Sequence, residues 1–130
     1  MELITVNSEA GGGAAVQVRG HRLMADLHPA DGGRDLGLAP SELLAASLGS
    51  CIAIMVEDYC RRQGCRPGAV RVDVAYELAG EPRRIVALTI DVETPPDLPA
   101  KKKAAVRRIA EKCPVHATLE SPPMIDIEIL

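Results

Sequence analysis

The sequence predicts an α+β fold with a largely antiparallel sheet, and three observations carry that expectation. Short strand-like segments cluster at the N-terminus, and the apolar stretch from Pro40 to Arg62 has the length and boundaries of one long helix. Downstream, Val70, Val72, Val74, Tyr76 and Leu78 alternate with polar or small residues, as a half-buried strand does. The resulting order of strands, long helix, hairpin, helix and strand departs from the βαβ repetition that builds parallel sheets.

Taken along the chain, residues 3–6, 15–19 and 22–27 are short apolar segments separated by the Gly11–Gly13 run and by Gly20, and read as three strands. A loop from His28 to Ala39 follows, rich in Gly and Pro. Pro40 suits the first helical turn, and the Glu42 carboxylate sits near the positive end of the helix dipole. Gly64 stops that helix. Leu44, Leu48, Cys51, Met55 and Tyr59 fall on one face, and further apolar residues spread around most of the circumference. A helix of this kind has to be covered on most sides, in a short chain partly by a second subunit. Ile85 to Val92 forms a hairpin with the preceding strand across a turn marked by Pro82. Lys101 to Cys113 reads as an amphipathic helix with Val106, Ile109, Ala110 and Cys113 on its covered face. Pro114 ends it or begins a short new one. Met124 to Leu130 alternates isoleucines with acids and reads as a closing strand.

At 130 residues the chain is expected to form a single domain, 1–130. Phe and Trp are absent and Tyr occurs twice, so the core is built from small aliphatic side chains that each bury little area. Such a chain gains from sharing its core with a second copy. A net charge of −3 with mixed signs argues against an electrostatic nucleic-acid binder. The cationic cluster of Lys101, Lys102, Lys103, Arg107 and Arg108 reads as a solvated helix face. No secretory signal pattern stands at the N-terminus. The longest uncharged stretch, residues 43–56, has 14 residues, short of the roughly 20 that span a bilayer. Four cysteines without framework spacing fit a reducing compartment, so the expectation is a cytoplasmic protein without membrane contact.

Two of those cysteines, Cys51 and Cys113, stand 62 positions apart on the covered faces of expected helices. On the residues alone they are either inert packing thiols or a dithiol/disulfide couple. A reactive Cys51 would need a nearby cation, because burial disfavours the thiolate and the helix start lies about 16 Å away, beyond the reach of the dipole. Arg19, Arg22 and Arg34 are the candidate sources. Cys60 and Cys65 bracket the Gly64 turn with no second ligand pair, which is weak for zinc. His116 reads as a capping or packing residue, and His21 and His28 stand too isolated to complete a metal site.

The segment Pro40-Ser-Glu-Leu-Leu-Ala-Ala-Ser-Leu-Gly-Ser-Cys51, together with Cys113-Pro-Val-His116, resembles the superfamily of osmotically inducible protein C (OsmC) and organic hydroperoxide resistance protein (Ohr). Length, element order and the Gly-rich loop before Pro40 are similar as well. The resemblance implies an intertwined homodimer with two long central helices surrounded by sheets from both subunits. It also implies antioxidant stress-response chemistry: a peroxidase that uses neither metal nor organic cofactor. Cys51 matches the attacking cysteine and Cys113 the resolving one, with a hydroperoxide as substrate and an external dithiol as reductant. A departure concerns the position after the motif proline, where the better-characterised branches carry a Glu that pairs with an activating arginine. Here Ser41 stands there and Glu42 follows one position later, turned by about 100° around the helix. In this respect the sequence is similar to a third OsmC-like branch. Against the enzyme stands a second class of function, an OsmC-like dimer that binds a small apolar ligand between its subunits.

Overall fold

The computed structural model describes residues 2–130. Its elements follow the α+β order: β1 (Thr5–Ser8), β2 (Ala14–Val18), β3 (His21–Ala25), α1 (Pro40–Arg62), β4 (Arg71–Ala79), β5 (Arg84–Glu93), α2 (Lys103–Glu111) and α3 (Pro114–Glu120). Contacts divide the chain into two compact units, residues 1–45 and 46–130, with the boundary inside α1.

In the first unit β1, β2 and β3 form an antiparallel meander in that order. Opposed pairs such as Val6 with Val16 and Val16 with Leu23 set its register. Asp26, just past β3, is the one buried acid among the described residues. Its carboxylate accepts the backbone N–H groups of Leu27 at 2.8 Å, Arg34 at 3.0 Å and Leu36 at 3.2 Å. Those bonds, the Leu27 one foremost, hold its pKa below the usual value of 3.8. A single side chain therefore ties down a loop too rich in Gly and Pro to form a ladder of its own.

The second unit is built on the body of α1. Its buried face is Leu48, Ile52, Val56 and Cys60, joined in one core by Cys65, Leu98, Val106 and Cys113. The expected face is thereby corrected by part of a turn: Met55 and Tyr59 pack only at its margin, and Leu44 is exposed. A helix apolar nearly all round carries no periodicity sharp enough to choose a face. Gly49 helps to choose it, because a Cβ there would lie 2.9 Å from Val74 Cγ2 on β4. The β4–β5 hairpin is antiparallel, pairing Val74 with Ile90 and Tyr76 with Leu88, with an irregularity at Glu77/Leu78.

Two further expectations are corrected here. The single helix from Lys101 to Cys113 is a 3-10 turn (Ala100–Lys102) followed by α2, which ends at Glu111, so Cys113 lies beyond it. The terminal strand is absent: residues 122–130 have no regular structure, and Ile125, Ile127 and Ile129 are exposed. Alternation makes a segment ready to be a strand, but a strand requires a neighbour, and among the described residues none pairs with it.

α1 is long and apolar enough to cross a membrane by length and composition. Its deeply buried face and the acids and arginines at its far end mark it instead as a core helix.

Candidate functional site

Cys51 occupies the middle of α1, inside the second unit, and is half-buried. Cys113 reaches the same region from the α2–α3 junction and is fully buried. Its placement follows from Pro114, which disfavours helical geometry in the residue before it. Cys113 accordingly has φ −64° and ψ 143° and stands as the N-cap of α3, with Pro114 at the first helical position. Its Sγ accepts the backbone N–H of His116 at 3.2 Å, as a serine oxygen does at other helix starts.

The two thiols lie near enough to act on one another, and both cysteines are free. Burial pushes the Cys113 thiol above its ordinary value of 9.0; the His116 N–H opposes this, and the neighbouring Cys51 adds to it. At neutral pH Cys113 therefore keeps its proton. The arrangement pairs a partly accessible sulfur with a sequestered, protonated one.

His116 supports this corner. Its Nδ1 lies 2.7 Å from the Glu111 carbonyl, an unsatisfied acceptor at the end of α2, and its Nε2 lies 3.1 Å from Glu120. Among the described residues no three His, Cys, Asp or Glu side chains converge to hold a metal ion.

The remaining candidates belong to the first unit. Glu42 Oε1 accepts the Ala39 N–H at 2.8 Å, one half of a capping box whose other half Ala39 cannot supply, and so helps to start α1. Arg22 pairs with Glu9 at 3.0 Å on the meander surface. Arg34 donates to the Gly11 carbonyl, and Arg19 sits in the β2–β3 turn with φ +49°. The sequence reading missed the His116 N–H as a partner of Cys113. The Cys-Pro dipeptide carried the signal, since a residue held extended before an N1 proline is an N-cap.

Comparison with known proteins agrees with this construction. A profile of the OsmC-like protein family matches residues 32–128, which include both thiols. Among solved structures, an OsmC-like protein of Mycoplasma pneumoniae superposes with TM-score 0.77 at 15% identity, covering 94% of this chain and 89% of that one. A Legionella pneumophila protein described as the organic hydroperoxide resistance protein OsmC gives 0.63 at 18% identity, with 90% and 88% coverage. The organic hydroperoxide resistance protein OhrB of Bacillus subtilis gives 0.59 at 20% identity, with 91% and 90% coverage. At such identities the likeness carries the fold alone. No curated protein matches by sequence. On the extent of the profile match and the shared fold, the chain belongs to the OsmC-like protein family of the OsmC/Ohr superfamily.

Proposed function

We infer that the protein reduces hydroperoxides through a Cys51/Cys113 dithiol cycle, and that it does so as a cytoplasmic homodimer of single OsmC-like domains. The observation that supports this reading is the nearness of a half-buried Cys51 to a fully buried Cys113. Cys51 is the sulfur a peroxide reaches first. Its thiolate attacks the terminal oxygen of ROOH, the O–O bond breaks, and the alkoxide leaves as ROH after taking a proton. Cys51 is then a sulfenic acid. The Cys113 sulfur attacks it, water leaves, and the two sulfurs are joined. An external dithiol reduces the bridge by exchange and returns both thiols.

Activation of Cys51 falls to a cation from Arg19, Arg22 or Arg34, with Glu42 supporting it through the start of α1. The second reading is a dimer that binds a small apolar ligand between its subunits; the cavity of about 640 Å³ within the second unit mixes Ile52, Ile90, Val92 and Val106 with Asp73, Asp91, Glu93, Lys103, Arg107 and Glu111 and does not itself single out an apolar guest.

Titration of the reduced protein with an organic hydroperoxide separates the two. The expected result is loss of two thiols per chain with one peptide crosslink, Cys51 to Cys113. Retention of both thiols at excess peroxide would overturn the enzyme reading and favour the ligand-binding one.

A further inference from the structure

A second pair of sulfurs lies at the far end of α1, about 14 Å along the helix from Cys51. Gly64 takes φ +82°, a conformation that favours glycine. Its N–H donates to the Arg61 carbonyl at 3.0 Å, and the Cys65 N–H donates to the Cys60 carbonyl at 3.0 Å. These are the two bonds of a Schellman cap, a motif that folds the residue after the glycine back against a residue in the last helical turn. In most proteins that contact joins two hydrophobic side chains. Here both are cysteines, 1% and 7% exposed.

Both thiols belong to one buried core cluster, and the Asp97 carboxylate lies near enough to act on each of them. Asp97 is itself held by the Arg66 N–H at 2.9 Å. Lys102 lies near Cys65 and bonds the Gln63 side chain. Two thiols brought together by a helix cap can join sulfur to sulfur where their backbone spacing suits a disulfide.

We propose that Cys60 and Cys65 are a second disulfide-forming site, independent of Cys51 and Cys113, oxidised by exchange with a low-molecular-weight disulfide and slowed by the nearby Asp97 charge. Cys65, the more accessible sulfur, attacks one sulfur of RSSR. The S–S bond breaks, and the departing RS⁻ leaves as RSH with the Cys65 proton. Cys60 then attacks the Cys65 sulfur of the mixed disulfide and expels the second RSH with its own proton. Two electrons pass from the pair to the small disulfide, and the cap is closed covalently over geometry that the backbone already holds. Burial raises both thiols above 9.0, so exchange is slow at neutral pH and quickens as the pH rises. The Asp97 charge adds to this for Cys65, so removing that charge speeds the reaction.

The test uses the full chain carrying Cys51→Ser and Cys113→Ser, equilibrated with mixtures of oxidised and reduced glutathione, acid-quenched, alkylated and digested. Trypsin cuts after Arg61 and Arg62, so the two cysteines stay joined only through a disulfide. The expected product is that linked pair, reversed by dithiothreitol, with Cys60→Ser arresting at glutathione on Cys65. Asp97→Asn should form the pair several-fold faster, a change that a merely packing Asp97 would not produce. Two free thiols under conditions that oxidise an exposed dithiol peptide would overturn the proposal, as would a stable mixed disulfide on Cys65 beside a free Cys60. Should the double variant fail to fold by circular dichroism, the unaltered chain gives the same readout. An added cut after Glu57 then separates Cys51 from Cys60.

Discussion

Cys113 acquires three properties from its immediate neighbours: an extended backbone from Pro114, an N–H donor from His116, and a raised pKa from its burial. Each suits a thiol that waits protonated and attacks second. Serine keeps the capping bond, so Cys113→Ser should fold and still allow one oxidation of Cys51, arrested at sulfenic acid or running on to sulfinic acid. Cys51→Ser should abolish peroxide consumption altogether. Peroxide assays paired with intact mass measure both, and the opposite pattern would reverse the roles. Asp26 offers a separate test. Its folded pKa lies below the ordinary value of 3.8, so its contribution to stability is complete above that value and is lost as pH falls through the lower folded one. Asp26→Asn should lower the Tm near neutral pH and flatten the acid limb of the Tm–pH curve below about 3.8. An unchanged curve would mean the three N–H groups find other partners.

At the scale of elements, the close approach of β4 to α1 rests on Gly49. Val74 is stiff at χ1 and cannot swing aside cheaply, so Gly49→Ala should bring an overpacking cost of about 1–3 kcal/mol. The better helix propensity of alanine offsets about 1 kcal/mol of it. In a Val74→Ala background the same substitution should become neutral or stabilising, and chemical denaturation of the four proteins of this cycle measures the reversal. α1 itself was legible residue for residue, because Pro40 and Gly64 act locally and punctuate both ends. The hairpin was legible because its alternation is sharp. Which face of α1 is buried was not, since contacts with residues distant in sequence, Val74, Leu98 and Val106 among them, set it. That Cys51 and Cys113 lie near one another was expected from motif resemblance, whereas the N-cap role of Cys113 needed the Pro114 constraint to be carried one step further. Cys60 and Cys65 read as bystanders because Cys-x-x-x-Gly-Cys was weighed as a metal motif and not as a helix cap.

At the scale of the whole molecule, the unpaired apolar surface is what requires explanation. Ile54 is 70% exposed in the middle of the long helix, and Ile125, Ile127 and Ile129 project from a tail with no strand partner among the described residues. A chain without Phe or Trp has little apolar area to leave uncovered, and at about 25 cal/mol per Å² these four isoleucines forgo several kcal/mol while they remain wet. Association of two copies would cover both regions at once: the wet Ile54 on the exposed face of α1, and an alternating segment needing only a neighbouring edge. Sedimentation velocity of the reduced protein should therefore give a dimer at micromolar concentration. Ile54→Asp would place a charge in the covered face and should shift the distribution toward monomer while lowering the Tm, because an uncompensated buried carboxylate costs more than the lost apolar contact. Deleting residues 124–130 should weaken association independently, since it removes a separate part of the covered surface. A folded monomer for the unaltered chain would contradict the expectation. So would an Ile54→Asp variant that sediments as the parent does, because the helix face would then lie outside the contact.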